Sequence, residues 1–93
     1  MKRIKLQKSK ECYVTQRTDG LQKHHIIYGT GNRKKSDKYG LTVWLRPEYH
    51  TGQHGVHGGN KTLDLELKQL AQKEFEKVYS RGKWMNVFGR NYL

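Results

Sequence analysis

The sequence predicts a small α+β domain, and three observations carry that prediction. Two β-prone segments, 21–28 and 40–45, flank a stretch that is rich in turn-forming and basic residues. A longer segment, 62–80, has apolar residues at spacings of three and four, which is typical of an amphipathic helix. A chain of 93 residues with 33% hydrophobic residues has room for one domain with a thin core.

The first element is a basic arm over residues 1–11. It contains five basic side chains, and Ile4 and Leu6 alternate with lysines as they would in a strand. Both an edge strand and a mobile arm are compatible with this pattern. The domain itself is predicted to span residues 12–93. Its first residue, Cys12, is the only cysteine, which excludes an internal disulfide, and we expect it to be a small buried apolar residue.

The two predicted strands surround a basic connection. The strand 21–28 follows a turn at residues 18–20 and carries the adjacent pair His24 and His25. Residues 29–38 are predicted to form a loop. The loop contains four basic side chains, Arg33, Lys34, Lys35 and Lys38. The second strand, 40–45, brings the chain back beside the first.

Helical elements are predicted after the second strand. Pro47 fits the first position of a short helical turn, because its missing N–H is not needed there, and the glycines from residue 52 onward end that turn. The long helix is predicted to have Thr62 as its cap and Gly82 as its end signal. Its apolar residues form a single stripe at spacings of three and four, which consists of Leu63, Leu67, Leu70, Ala71, Phe75 and Val78. The final segment, 84–93, is rich in large apolar groups and is expected to dock on the core.

The charge of the chain favours a polyanionic partner. Nineteen Lys and Arg against eight Asp and Glu give a formal net charge of +11. Such a surplus favours nucleic acid, through counterion release and long-range attraction, over a merely solvated basic surface. No apolar run is long enough for a signal peptide or a membrane span. We therefore expect a soluble, cytoplasmic protein that binds nucleic acid and not a membrane.

All five histidines fall between residues 24 and 57. Neighbouring side chains of a strand point to opposite faces, so His24 and His25 are expected to have different roles, one binding a metal and the other acting as a base. His50 and His54 would share a face on a helical turn. His57 follows in a glycine-rich stretch that could fold back to the same point. This cluster in a basic chain points to metal-dependent chemistry on a polyanion.

The order of these motifs resembles the HNH endonucleases, which are also called ββα-metal or His-Me finger nucleases. The resemblance is carried by His24-His25-Ile26, the glycine- and arginine-bearing segment, Gly40–Leu45 with His50 after it, Gly55-Val56-His57, and the closing residues 88–93. It covers residues 12–93, and the whole chain is similar to the small phage-type members. The resemblance implies a small ββα-metal domain with an added C-terminal helix.

The resemblance also implies roles for individual residues. His24 takes the place of the first metal ligand, His25 that of the general base and His50 that of the second ligand. His57 fits the third ligand position, with His54 as the alternative. One divalent ion would be bound, and Mg²⁺, Mn²⁺, Zn²⁺ and Ni²⁺ all stay open. The four basic residues of the predicted loop would hold DNA phosphates.

Two departures from the family pattern affect these expectations. Many HNH proteins hold a structural zinc on two Cys-x-x-Cys pairs, whereas only Cys12 is present here, so no zinc knuckle is expected. The family's central asparagine is missing from Gly40-Leu41-Thr42. A backbone carbonyl, Asn32 or Asn60 would then have to orient His25.

The sequence thus predicts a metal-dependent DNA endonuclease that hydrolyses or nicks double-stranded DNA with low sequence preference. The alternative is a non-catalytic DNA-binding module of degenerate HNH fold in a phage packaging or recombination complex. A small structural zinc protein is a third reading. By resemblance, the compartment would be the cytoplasm of a bacterial host. The oligomeric state stays open, with a homodimer as one option.

Overall fold

The computed structural model describes residues 2–93, which form two strands, four α-helices and one 3-10 turn. In chain order these are β1 (Gln22–His25), α1 (Asn32–Tyr39), β2 (Thr42–Leu45), α2 (Pro47–His50), the 3-10 turn (Val56–Gly58), α3 (Lys61–Val78) and α4 (Arg81–Phe88). The strands pair in an antiparallel two-stranded sheet. The predicted α+β class is confirmed.

The register of the sheet decides which way each histidine of β1 faces. His24 lies opposite Val43, and His25 lies opposite Thr42. His24 and Val43 are buried in the core, whereas His25 and Thr42 lie on the partly exposed face. The predicted separation of the two adjacent histidines onto opposite faces is therefore correct.

Strand β1 is shorter than the predicted strand 21–28 because its backbone changes partners. The N–H of Ile27 donates to the Ser36 Oγ at 3.1 Å, and the Ile27 carbonyl accepts from the same hydroxyl at 2.6 Å. The chain therefore leaves the sheet and packs against α1, with Ile26 and Ile27 both buried.

The prediction of a loop over residues 29–38 is wrong for most of that range. Residues 32–39 form α1, which is flanked by Gly31 at φ 82° and Gly40 at φ 79°. Glycine adopts this left-handed backbone readily, so the two residues delimit the helix. The predicted basic loop residues Arg33, Lys34, Lys35 and Lys38 are therefore presented by a helix.

The long helix forms, but its caps differ from the predicted ones. The side-chain oxygen of Asn60, not Thr62, accepts from the Leu63 N–H at 3.0 Å. The helix ends at Val78, and Gly82 lies inside the additional helix α4, which Ser80 caps by accepting from the Lys83 N–H. The predicted end signal, Gly82, therefore lies in the first turn of the next helix.

The C-terminal segment docks on the core, as predicted. Trp84 of α4 has no exposed surface, and its ring packs 5.3 Å from that of Phe75 in α3. Gln72, also fully buried, donates to Asn91 and accepts from the Tyr92 N–H. Among residues 2–93, no helix combines the length and the apolar character needed to cross a bilayer.

The basic arm lies against the domain rather than apart from it. Met1 is outside the described residues; from residue 2 to residue 11 the chain forms no regular strand. Ile4 is nevertheless part of the core, with 8% of its surface exposed. Cys12 is fully buried and bridges to Trp44 of β2, as expected of a small apolar residue.

Candidate metal centre

Three histidines from three separate elements meet at one point. His24 comes from β1, His50 from the end of α2 and His57 from the 3-10 turn. Each can offer a ring nitrogen such that the three atoms lie within 4.8 Å of one another. The ring centroids are 5.1–5.2 Å apart in all three pairs.

Glycines allow the 3-10 turn to approach α2 closely enough for this convergence. A Cβ on Gly55 would lie 2.6 Å from the backbone carbonyl carbon of His50, and a Cβ on Gly58 would overlap the carbonyl oxygen of Gly52. Real side chains do not tolerate such contacts. The glycine-rich stretch therefore brings His57 back to His50, as the sequence had indicated.

His24 is the most unusual member of the cluster. It is 1% exposed, and neither of its ring nitrogens has a hydrogen-bond partner among the described residues. Burial, and then the nearby His50 and His57, lower its pKa to about 3. The ring is therefore neutral at physiological pH, and a buried nitrogen without a partner is costly unless a ligand satisfies it.

His50 is held in one orientation. Its Nδ1 lies 2.9 Å from the side-chain oxygen of Gln22. Because an amide oxygen only accepts, Nδ1 carries the proton and Nε2 keeps the free lone pair. Burial lowers the pKa of His50, with His57 and Arg33 acting in the same direction. The Nε2 of His50 is thus the ring nitrogen that can offer a lone pair to a cation.

Tyr28 packs against the histidine cluster and connects it to α3. Its ring centroid lies 4.8 Å from that of His57 in an edge-to-face arrangement. Its hydroxyl donates to the Asp64 carboxylate at 3.1 Å, and the Lys68 ammonium pairs with the same carboxylate at 2.7 Å. The sequence had not singled out these three residues, since their contacts depend on the packing of α3.

His25 lies in the same cleft as two of the clustered histidines, but it points away from His24. The cleft, with a volume of about 310 Å³, is lined by Lys23, His25, Tyr28, Arg33, His50, Thr51 and His57. Burial lowers the pKa of His25, while the Asp37 carboxylate opposes that change. A neutral imidazole with an open approach is what a general base requires.

Asp37 of α1 is the acidic neighbour of His25. Its Oδ1 lies 3.7 Å from the His25 Nε2 and 2.8 Å from the Lys23 Nζ. Among the described residues, neither asparagine considered as an orienting residue hydrogen-bonds to His25. The Asn32 amide donates to the Tyr28 carbonyl, and the Asn60 amide donates to the His54 carbonyl. Of the three alternatives for orienting His25, the two asparagines thus bond elsewhere, and a backbone carbonyl stays open.

His54, the alternative third ligand, lies outside the cluster. It is exposed and is not among the three residues that could share an ion.

The four predicted DNA-binding residues of α1 are exposed, but they do not all face the same side of the molecule. Arg33 lines the cleft of His25, whereas the Lys35 ammonium donates to the Val87 carbonyl on the side of α4.

Comparisons of this chain with protein-family models, curated proteins and solved structures found no significant match. Inferences about function therefore start from the site itself. It consists of three converging imidazoles, a fourth histidine in the adjoining cleft and a strongly basic surface.

Proposed function

We propose that this protein is a metal-dependent DNA endonuclease of the HNH type, with His25 as general base and one divalent ion on His24, His50 and His57. The observation that carries the proposal is the buried, unpartnered ring of His24 within ligand distance of two other imidazoles. A buried ring nitrogen is seldom left without a hydrogen-bond partner or a ligand. A fourth histidine, His25, lines a cleft together with His50 and His57 and supplies a group for proton transfer.

The order of the elements supports the HNH assignment. Two antiparallel strands are followed by a short helix, and the three candidate ligands lie on the first strand, on that helix and in the turn after it. This arrangement is compatible with a ββα-metal fold, to which α3 and α4 are added. Helix α1 replaces the simple loop between the strands.

The donor set fits a divalent cation. Three imidazole ligands leave further coordination positions open, as a catalytic site needs. All-nitrogen ligation favours Zn²⁺ or Ni²⁺ over Mg²⁺ on affinity, and Mn²⁺ is intermediate, although availability in the cell also matters. A bound divalent ion would supply Lewis-acid stabilisation of the charge that develops on the phosphate and its leaving oxygen.

Side chains of the protein accept the proton of the attacking water and bind the DNA phosphate. His25, neutral at physiological pH, accepts a proton from the attacking water. The Asp37 carboxylate beside it stabilises the imidazolium that forms. Arg33, which lines the cleft, binds the phosphate from the side of α1. Contacts of this kind fix the strand without reading its sequence, so we propose low sequence preference on double-stranded DNA.

A plasmid-nicking assay tests this function. Supercoiled plasmid is incubated with the wild type, His25→Ala and His54→Ala, each with Mn²⁺, Mg²⁺, Ni²⁺ or Zn²⁺ and with EDTA as the metal-free control. We expect His25→Ala to lower the nicking rate by roughly 10²- to 10⁴-fold while it still binds metal and DNA. His54→Ala is the matched histidine control and should nick at the wild-type rate. Undiminished nicking by His25→Ala would contradict the assignment of the base.

A DNA-binding module without activity is the second candidate, and the missing asparagine favours it. Residues 40–42 read Gly-Leu-Thr, so no side-chain amide is provided at the start of β2. A wild-type protein that binds duplex DNA but nicks it with none of the four metals would support this candidate. Metal-dependent folding without DNA binding would instead support a structural metal protein.

A further inference from the structure

The described part of the basic arm is fixed along the outer side of β2. The Ile4 N–H donates to the Tyr39 carbonyl at 2.9 Å, and the Gln7 side-chain oxygen accepts from the Trp44 N–H at 2.8 Å. Gly40 permits this contact, since a Cβ there would overlap the carbonyl oxygen of Ile4. The basic side chains of the arm are therefore presented at defined positions on the domain.

Between the arm and the sheet runs an open groove of about 550 Å³. Its cationic lining residues are Arg3, Lys5, Lys8 and Lys10, and the sheet side contributes Gly40, Thr42 and Trp44. Within residues 2–93, no carboxylate side chain lines the groove. Nor does any described ion pair involve Lys5, Lys8 or Lys10, so their charges are uncompensated.

The groove reaches the candidate active site. Trp44 and Thr42 lie opposite Lys23 and His25 in the sheet register, and paired residues of an antiparallel sheet share a face. At the end of the groove, the Arg3 guanidinium lies 4.0 Å from the Asp37 Oδ1. The same oxygen lies 3.7 Å from the His25 Nε2. A DNA strand that passes His25 can thus continue along the groove beside the arm.

We infer that this groove is a second DNA-contact site, which binds the phosphodiester backbone on one side of the phosphate served by His25. The inference rests on the proposed function, because it takes His25 to be the catalytic end of the path. Lysine ammonium groups bind phosphates as point charges, and three uncompensated ones in one groove match a polyanionic strand. The Lys10 ammonium lies 4.3 Å from the centre of the Trp44 ring, so a bound strand would also contact this tryptophan.

The test compares two triple variants that carry the same net charge. One is Lys5→Gln, Lys8→Gln and Lys10→Gln in the groove. The control is Lys73→Gln, Lys77→Gln and Lys83→Gln on α3 and α4, none of which lines the groove. Each variant loses three positive charges, so the long-range attraction of DNA falls equally in both. Arg3 is left unchanged because it contacts Asp37.

Binding of a short labelled duplex is measured by fluorescence anisotropy in EDTA, so that no cleavage interferes. We expect the groove variant to lose at least tenfold in affinity at about 50 mM salt, and the control less than threefold. Between about 50 and 200 mM salt, the slope of log K against log salt should fall by roughly two to three in the groove variant, since each phosphate contact contributes about 0.9. Equal losses in the two variants would overturn the inference.

Trp44 gives an independent readout. It is partly exposed, whereas the second tryptophan, Trp84, is fully buried. Binding of unlabelled duplex should change the tryptophan emission of the wild type, and Trp44→Phe should abolish that change. A change that persists in Trp44→Phe would show that the strand does not occupy the groove.

The outcomes separate this inference from the proposed nuclease function. If the wild type nicks DNA and the two triple variants bind it equally, only the groove assignment fails. If the wild type binds DNA through the groove but nicks it with no metal, only the nuclease assignment fails. A wild type that binds no duplex even at low salt overturns both.

Discussion

The ring of His24 lies 5.2 Å from that of His57, although β1 carries the first and the 3-10 turn carries the second. The two elements are brought together by the core, in which His24 is buried and neither ring nitrogen has a hydrogen-bond partner in the part of the chain that the structure describes. A cation at this point would satisfy a group that the fold leaves unsatisfied. Several properties of the protein should therefore depend on whether the site is filled.

Metal binding should stabilise the fold. A ligand that binds only the folded state at about 100 times its Kd adds about 2.7 kcal/mol to the free energy of unfolding. We expect Zn²⁺ or Ni²⁺ to raise the Tm of the wild type and EDTA to reverse the effect. His24→Leu should abolish this increase without destabilising the metal-free protein, because it removes a buried polar group that lacks a partner.

His54→Ala is the matched control for metal binding, since His54 is exposed and outside the cluster. Its Tm should rise with metal as that of the wild type does. Thermal melts with and without metal, followed by circular dichroism, measure both effects. A full metal-induced increase in His24→Leu would remove this residue from the ligand set.

The close approach of Gly58 to Gly52 should control the metal affinity. In Gly58→Ala, the added methyl group meets the Gly52 carbonyl oxygen, so the 3-10 turn must shift and take His57 away from His50. We expect metal affinity, measured by calorimetry, to fall at least tenfold. Metal affinity should fall because one of the three ligands is displaced.

Gly82→Ala is the control for that substitution. A Cβ at Gly82 would meet only the Ser80 Oγ at 3.8 Å, an ordinary contact, and the residue lies in α4. Alanine there should leave metal affinity unchanged and stabilise the helix by about 0.5–1 kcal/mol. Equal metal affinity in Gly58→Ala and Gly82→Ala would show that the turn does not position His57.

Spacing in the sequence identified the histidines but could not choose between His54 and His57. The choice of His57 follows from the close approach of Gly58 to Gly52, which no periodicity of the sequence indicates. The opposite orientations of His24 and His25 were predictable, because alternation is intrinsic to a strand. Helix α3 was predictable for a similar reason, since its apolar stripe repeats at helical spacing.

Helix α1 was missed because it has almost no apolar periodicity. Only Ser36 and Tyr39 of its eight residues are buried, and Ser36 is polar. The proximity of Asp37 to His25 was missed with it, since this contact depends on how the helix packs against β1. Helix α4 is not apparent from the sequence, because Gly82, which lies in its first turn, is typical of a helix end.

The stability of the metal-free protein should fall as the pH is lowered from about 6.5. Burial and the neighbouring His50 and His57, with smaller effects from His25 and Lys68, lower the pKa of His24 to about 3 in the folded protein. An unfolded histidine has a pKa near 6.5. Between these values the unfolded chain binds a proton that folded His24 does not, so its contribution is complete above pH 6.5 and decreases below it.

The size of this effect follows from one proton. The free energy of unfolding should lose up to about 1.4 kcal/mol per pH unit through His24 within that window. Urea unfolding between about pH 5 and 7 measures it before most carboxylates titrate. His24→Leu should show a smaller pH slope than the wild type, and His54→Ala an unchanged one. Equal slopes in the wild type and His24→Leu would contradict the assignment of the titration to this ring.

Ser36 should be essential for the attachment of α1 to the sheet. Its hydroxyl is fully buried, donates to the Ile27 carbonyl and accepts from the Ile27 N–H. Ser36→Ala leaves both backbone groups without this partner, which should cost roughly 2–3 kcal/mol in the free energy of unfolding. Ser9→Ala removes an exposed hydroxyl whose only hydrogen bond among residues 2–93 is to Glu11, and we expect the free energy of unfolding to change by less than about 0.5 kcal/mol.

Ser36→Ala should also affect the cleft that His25 lines, because α1 carries both Arg33 and Asp37. In Ser36→Ala, loosening of the helix would move Asp37 away from His25 and weaken duplex binding through Arg33. Metal affinity should stay within twofold of the wild type, since none of His24, His50 and His57 lies on α1. Calorimetry with metal and anisotropy with duplex DNA measure the two properties on one protein sample. A variant that lost both equally would show that α1 and the histidine cluster unfold together, and that the helix does not act on DNA binding alone.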